Sequence, residues 1–196
     1  MLFANRWYLI AVASIGAVYM SIDRTDYTTP HKSLWSLDHD VTIPKILVSD
    51  DQNIFDRDQD PILFNKKDFK CMVDNIFYEA GTDNMVGKLA VAQVTVNRVK
   101  LGYWGETVCD VVHADHQFSW TKMDTEEVNT DSKNYKESIW AAEQILHKNI
   151  KIKPLQQALF YHADYAKPKW VDHSKYVGKF GKHIYYDGAK GSWLSL

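Results

Sequence analysis

The stretch Asn75-Ile76-Phe77-Tyr78-Glu79-Ala80-Gly81 ends the first clear helical pattern of the chain. Upstream of it, apolar residues recur at three- and four-residue spacing, which predicts a helix with one buried face. These residues are Phe69, Met72, Val73, Ile76, Phe77 and Ala80. Gly81 is typical of a residue that ends a helix. Glu79 is therefore expected at a helix end, beside the packed face and next to a tight turn.

This position suits an acid catalyst. A carboxyl group among Phe77, Tyr78 and Ala80 is expected to lose water, and it meets the negative end of the helix dipole. Both effects favour the neutral form and predict a raised pKa for Glu79, as in a general acid that works near neutral pH. A glutamate near a helix end is more often simply solvated, so the position alone leaves both interpretations open.

The rest of the pattern predicts an α+β domain that is mainly helical and has small β elements. Thr82 or Asp83 can cap a second helix, and a third helix is expected over residues 132–148. Residues 158–162 and 183–186 are short, aromatic-rich, strand-like runs near several glycines. The buried stripe expected for the second helix is Leu89, Ala92, Val96 and Val99.

The N-terminal residues predict export. Arg6 precedes an uninterrupted run of apolar or small residues at 7–22, which is expected to form a hydrophobic helix serving as a signal anchor or signal peptide. The alternative is a buried helix of the main domain, and a third hypothesis is a span that later leaves the membrane. We expect residues 1–22 to be this segment, 23–64 a polar tether and 65–196 the catalytic domain. The catalytic domain is expected outside the cytoplasm, tethered to the inner membrane by residues 7–22 where that segment is not cleaved.

The two cysteines agree with an oxidising compartment. Cys71 and Cys109 both follow the apolar segment, and an even pair favours one disulfide. Closing this loop would stabilise the fold by about 3–4 kcal/mol in the chain-entropy model. Two free buried thiols are the alternative.

Composition excludes some partners and suggests another. The formal net charge is −2 and no basic tract is present, which argues against nucleic acid. Seven Trp and eleven Tyr are a heavy aromatic load. Such rings fill cores, and they also line carbohydrate clefts by stacking on sugar faces.

Nine short motifs follow one another along the chain between residues 78 and 186. They are Tyr78-Glu79-Ala80, Gly87, Ala90-Val91-Ala92, Asn97-Arg98, Thr107-Val108-Cys109-Asp110-Val111-Val112, Gln117-Phe118-Ser119-Trp120, Tyr161-His162-Ala163-Asp164, Pro168-Lys169-Trp170 and Gly181-Lys182-His183-Ile184-Tyr185-Tyr186. In this order they resemble the SleB-type cell wall hydrolase family, which includes spore-cortex-lytic and phage-encoded enzymes. One difference is that Gly81-Thr82-Asp83 stands where the family commonly has Arg-Gly-Glu.

The resemblance implies a lysozyme-like catalytic domain that cleaves the MurNAc–GlcNAc backbone of peptidoglycan as a lytic transglycosylase or muramidase. Glu79 would be the single catalytic residue, Asn97 and Arg98 would support the cleft, and neither metal nor cofactor would be needed. We expect a monomer. The expected substrate-binding residues are Tyr78, Gln117, Ser119, Trp120, Tyr161 and His162, although core packing or structural hydrogen bonds could also explain several of them.

Two rival functions remain at this point. A zinc-dependent peptidoglycan amidase or endopeptidase would need three ligands, but no paired motif such as HExxH organises the histidines. The candidates are His113, His116, His162, His173 and His183. A non-catalytic glycan-binding protein that assists lysis would use the aromatics alone, with Glu79 in a structural role.

Overall fold

The computed structural model of the chain describes residues 54–123 and 127–188. The predicted signal segment at 1–22 and most of the predicted tether lie outside the described residues. Among the residues described, no helix has the length and apolar character needed to cross a membrane.

Four α-helices and five strands make up this part of the chain. The helices are α1 (Lys66–Ala80), α2 (Met85–Leu101), α3 (Val108–His113) and α4 (Lys133–Leu146). The strands are β1 (Phe55–Arg57), β2 (Ile150–Ile152), β3 (Ala158–Ala163), β4 (Tyr176–Phe180) and β5 (His183–Asp187). Short 3₁₀ turns lie at Ser119–Lys122, Lys153–Leu155 and His173–Lys175. The expected α+β class, with helices and small β elements, is confirmed.

A capping box marks the start of helix α1. The Asn65 side chain accepts a hydrogen bond from the Asp68 N–H at 3.0 Å, and the Asp68 carboxylate accepts one from the Asn65 N–H at 3.3 Å. The helix ends before Gly81, which has a right-handed φ of −56° and not the left-handed conformation common at this position. Gly81 is instead required by space, because an added Cβ would collide with the Phe77 carbonyl oxygen.

Helix α2 is the centre of the fold. The predicted single stripe is too narrow, because every residue from Gly87 to Val99 is buried. Small and β-branched side chains allow α1, α4 and the strands to approach α2 from several sides. Its cap also differs from the prediction: Asn84, rather than Thr82 or Asp83, accepts the hydrogen bond from the Gly87 N–H at 2.9 Å.

The two predicted strand-like runs pair with each other. In a three-stranded antiparallel sheet of order β3-β5-β4, Tyr161 is opposite Tyr185 and His162 is opposite Ile184. Gly181, with a φ of +60°, forms the tight turn between β4 and β5, a conformation that favours glycine.

Residues 54–64, the end of the segment predicted as a polar tether, contain a strand and side chains that contact the core. Within it, β1 pairs with β2 in a second, two-stranded sheet, and Ile62 and Phe64 pack against the core. Ordered structure therefore begins before Asn65. The sequence did not reveal this because β1 is three residues long and its pairing partner is distant in the chain.

A disulfide joins Cys71 in α1 to Cys109 in α3. The predicted pairing is confirmed, and the alternative of two free thiols is wrong. The bond fixes the helix that carries Glu79 to the helix that leads towards Trp120.

Candidate active site

Glu79 lies in the last turn of α1 and contacts strand β3. The Tyr161 hydroxyl donates a hydrogen bond to Glu79 Oε2 at 3.2 Å. Burial raises the pKa of Tyr161 well above its ordinary value, so its hydroxyl keeps its proton and remains a donor. A helix end and a strand thus hold one carboxyl group between them.

The environment of Glu79 favours the acid form. Burial raises the pKa of Glu79 above its ordinary value of 4.5, while the hydrogen bond from Tyr161 and the charge of Arg98 oppose that rise. A carboxyl group with these surroundings can give up a proton and then be stabilised as a carboxylate. This combination is what a residue needs to act first as an acid and then as a base.

Arg98 is the buried cation of this site. Its side chain is within 5.2 Å of the centres of both the Trp104 and Phe118 rings, and its Nε donates to the Leu159 carbonyl at 2.9 Å. Among the described residues, its buried Nη1 has no hydrogen-bond partner. The charge of Arg98 acts on Glu79 and lowers the pKa of that carboxyl group.

Asn97 connects α2 to the chain segment that leads into β3. Its Nδ2 donates to the Leu155 carbonyl at 2.7 Å and to the Ala158 carbonyl at 2.8 Å, and Gln93 Nε2 donates to its Oδ1 at 2.9 Å. Because β3 carries Tyr161, these bonds help to fix the position of the Tyr161 hydroxyl relative to Glu79.

An aromatic pair stands next to Glu79. The rings of Tyr78 and Trp120 are stacked, with their centres 4.5 Å apart. Trp120 Nε1 donates to Asn75 Oδ1 at 3.0 Å, and Asn75 Nδ2 donates to Thr95 Oγ1 at 3.2 Å. The indole of Trp120 is thus connected to α1 through Asn75 and, through Asn75, to Thr95 of α2. Neither the Tyr78 ring nor the Trp120 ring is fully buried.

Gln117 and Ser119 are less closely tied to this group. Gln117 Nε2 donates to the Asp115 carbonyl at 3.3 Å, and Ser119 is exposed at the start of the 3₁₀ turn that carries Trp120. Neither side chain has a hydrogen bond to Glu79 or Tyr161 among the described residues. Their predicted contact with substrate stays a prediction.

His162 lies on the opposite face of the sheet from Glu79. Successive strand residues point to opposite faces, so the contact of Tyr161 with Glu79 directs His162 away. Its Nδ1 is 2.8 Å from the Ala163 carbonyl and its Nε2 is 3.1 Å from the Tyr186 hydroxyl. The structure therefore does not bring His162 together with Glu79, Tyr78 or Trp120.

The loop that follows Glu79 is held by hydrogen bonds that the sequence analysis did not predict. The Asp83 carboxylate accepts hydrogen bonds from the backbone N–H groups of Asn84 at 2.6 Å and Lys182 at 2.8 Å. The fully buried Lys88 donates from Nζ to the carbonyls of Gly81 and Asp83, each at 2.8 Å. Asp83 occupies a position where the chain departs from the common family pattern, and that departure was the available signal.

The histidines do not form a metal site. No three His, Cys, Asp or Glu side chains are grouped to hold a metal ion in residues 54–123 and 127–188, which include all five candidate histidines. His183 Nδ1, for example, lies 3.5 Å from Asp83 Oδ2. The zinc hypothesis therefore has no geometric support in this part of the chain.

Comparison with known proteins identifies the class. The sequence profile of the family described as Cell Wall Hydrolase matches residues 82–186, more than half of the chain. The protein belongs to this cell wall hydrolase family. Glu79 lies just before the matched stretch.

Two solved structures are similar. The catalytic domain of the germination-specific lytic transglycosylase SleB from Bacillus anthracis is 25% identical, with a TM-score of 0.50 over 63% of this chain and 97% of that one. The catalytic domain of the Bacillus cereus SleB protein is 23% identical, with a TM-score of 0.48 over 63% of this chain and 92% of that one. No curated protein sequence matches the chain.

Proposed function

We propose that the protein is a peptidoglycan lytic transglycosylase that cleaves the MurNAc–GlcNAc backbone with Glu79 as its single acid and base. The observation that carries the proposal is the half-buried carboxyl group of Glu79, which accepts a hydrogen bond from Tyr161 at 3.2 Å and is influenced by the charge of Arg98. Family membership supports the cell wall as the target, and the similarity to the Bacillus anthracis enzyme supports the transglycosylase reaction.

In the first step, protonated Glu79 gives its proton to the glycosidic oxygen, and the bond between that oxygen and the MurNAc anomeric carbon breaks. In the second step, the MurNAc C6 hydroxyl oxygen bonds to the anomeric carbon and its proton passes to the Glu79 carboxylate. Glu79 is then protonated again, no water is consumed, and the new end is a 1,6-anhydro sugar. A second carboxylate is not required.

The neighbouring residues have roles that follow from their contacts. Tyr161 and Arg98 stabilise the carboxylate that exists between the two steps, because a hydrogen-bond donor and a positive charge both favour the ionised form. The stacked rings of Tyr78 and Trp120 offer an aromatic wall against which a sugar ring can pack. Asn97 holds the strand that positions Tyr161.

The proposed reaction requires that the catalytic domain reach the cell wall. We infer export through the segment at 7–22, with the domain outside the cytoplasm, either tethered to the membrane or released from it. The disulfide between Cys71 and Cys109 agrees with an oxidising compartment.

The test uses the purified full-length protein, its Glu79→Gln variant and purified peptidoglycan, with the product ends identified by mass spectrometry. We expect the wild type to release 1,6-anhydro ends and Glu79→Gln to lose about 100- to 10,000-fold in rate. Glu106→Gln, which changes an exposed glutamate, is the matched control.

Three outcomes would change the proposal. Lysis by Glu79→Gln at the wild-type rate would remove Glu79 from the mechanism. Reducing ends heavier by one water molecule would replace transglycosylation with hydrolysis. Loss of activity in EDTA, with recovery on adding zinc, would favour the metal-dependent amidase or endopeptidase.

A further inference from the structure

The face of the three-stranded sheet directed away from Glu79 carries a row of aromatic rings. In the strand register, Phe160 of β3 is opposite Tyr186 of β5, which in turn is opposite Tyr176 of β4. Residues opposite each other point to the same face, so these three rings cross the sheet side by side. The centres of Tyr176 and Tyr186 are 6.2 Å apart.

Trp170, in the loop between β3 and β4, extends this row. Its ring centre is 6.0 Å from Phe160, 5.8 Å from His162 and 5.8 Å from Tyr186. We call Phe160, His162, Trp170, Tyr176 and Tyr186 the outer aromatic face.

Two rings of the outer aromatic face are open to solvent and the others support them. Trp170 is 39% exposed and Tyr176 is 55% exposed, whereas Tyr186 between them is only 4% exposed. His162 is held through both ring nitrogens, one of them contacting the Tyr186 hydroxyl. Isolated exposed aromatics are common, but two that rest on a fixed layer of rings lose little conformational entropy when they bind a ligand.

The segment around these exposed rings is basic. Residues 165–182 contain the lysines Lys167, Lys169, Lys175, Lys179 and Lys182, and Asp172 is their one acidic residue. The whole chain has a formal net charge of −2, so positive charge is concentrated here. Of these lysines, Lys167 and Lys169 have no salt bridge among the described residues, whereas the charge of Lys175 acts on Asp172 and Asp187. The charges of Lys167 and Lys169, on either side of Pro168 and next to Trp170, are thus available to a ligand.

Exposed aromatic rings with unpaired lysines fit a ligand that offers flat sugar faces and negative charges together. A peptidoglycan strand does so, since its sugar rings stack on aromatics and its stem peptides carry carboxylates. We propose that the outer aromatic face is a second binding site for peptidoglycan strands, separate from the Glu79 cleft. This inference rests on the proposed function for its choice of ligand.

A second site on the sheet face directed away from Glu79 would keep the enzyme attached to its polymer substrate. An enzyme held to an insoluble polymer by two surfaces stays near it after each cut, because the second contact is intramolecular in effect. The expected signature is stronger attachment to the wall than the cleft alone provides. Attachment should also weaken as salt rises, because lysines contribute to it.

The experiment measures binding separately from cleavage. Full-length protein carrying Glu79→Gln is pelleted with purified sacculi, alone and with Trp170→Ala, Tyr176→Ala or Lys169→Glu added. We expect each added change to weaken binding about tenfold. Trp170→Phe, which keeps a ring, should bind nearly as well as the parent. Lys133→Glu, on α4 at a side chain 86% exposed, is the matched charge control and should leave binding unchanged.

Thermal melting checks that the variants fold, and the exposed Tyr176 and Lys169 keep the test valid if Trp170→Ala is unstable. Equal binding by the parent, Tyr176→Ala and Lys169→Glu would overturn the second site. Sacculi stripped of attached phosphate polymers should still bind; loss of binding there would assign the face to those polymers and also overturn the proposal. Wild-type cleavage, measured in parallel, tests the Glu79 mechanism independently of these results.

Discussion

The hydroxyl of Tyr161 donates a hydrogen bond to Glu79 Oε2 at 3.2 Å, across 82 residues of sequence. The contact joins the end of α1 to the middle of β3 and places a neutral donor beside a buried acid. Because the bond favours the ionised carboxyl group, it opposes the effect of burial on the Glu79 pKa. Tyr161 therefore affects both the position of the acid and the pH range in which it holds its proton.

The first prediction concerns this bond. Tyr161→Phe should raise the Glu79 pKa further, because the group that lowers it is gone. The alkaline limb of kcat/KM should then move to higher pH, since the proposed reaction begins with protonated Glu79. The rate at the optimum should fall about tenfold, as expected for losing one hydrogen bond to a developing charge.

The matched control for this change is Tyr185→Phe. Within the part of the chain that the structure describes, the buried Tyr185 hydroxyl has no hydrogen-bond partner, so its removal should leave the pH profile and the stability nearly unchanged. If Tyr161→Phe and Tyr185→Phe have the same pH profile, the hydrogen bond from Tyr161 does not lower the pKa of Glu79.

The second prediction concerns the charge of Arg98. Arg98→Met should also move the alkaline limb to higher pH, because the positive charge that lowers the Glu79 pKa is removed. It should also destabilise the fold by about 1–3 kcal/mol, since the buried Leu159 carbonyl loses its donor.

Arg98→Lys separates these two effects. Lysine keeps the positive charge but not the geometry of the guanidinium group, so stability should fall while the pH profile stays near the wild type. The measurements are pH–rate profiles and denaturation curves of both variants. If Arg98→Met leaves the alkaline limb of the kcat/KM profile unchanged, the charge of Arg98 does not act on Glu79.

The third prediction concerns the cost of burying Glu79. The pKa of Glu79 is raised in the folded protein, so both states are protonated well below pH 4.5 and the fold is not penalised there. As pH rises from 4.5 through the folded pKa, only the unfolded chain ionises freely, and stability is lost. Glu79→Gln avoids this loss, and its melting temperature relative to the wild type should be higher at pH 7 than at pH 4. A difference that is larger at pH 4 would contradict the raised pKa.

Local signals explain what the sequence could predict of the fold. The start of α1 at Asn65 and of α4 at Ser132 follows from side chains that cap the helix three residues away. The strands at 158–162 and 183–186 follow from short aromatic-rich runs near glycines. Each of these features depends on residues that are close in sequence, so these helices and strands could be predicted from the sequence alone.

Long-range packing explains what the sequence could not predict. The burial of α2 on all sides depends on the other three helices and on strands β2, β3 and β4, and β1 is defined only by its pairing with β2. In the site, Glu79 was identifiable from its helix end and from family resemblance. The separation of Tyr161 from His162 depends on which face of β3 meets α1, and that register is fixed by β5.

The last prediction concerns the disulfide between Cys71 and Cys109, which closes a separation of 38 residues and joins α1 to α3. Because α3 leads to the 3₁₀ turn that carries Trp120, the bond stabilises the fold and also limits how far Trp120 can move from Tyr78. Reduction, or the double change Cys71→Ala and Cys109→Ala, should lower the free energy of unfolding by about 3–4 kcal/mol. Urea denaturation with and without dithiothreitol measures this, and the double variant should not respond to the reductant. Equal stability of the oxidised and reduced wild type would show that packing alone holds α1 against α3.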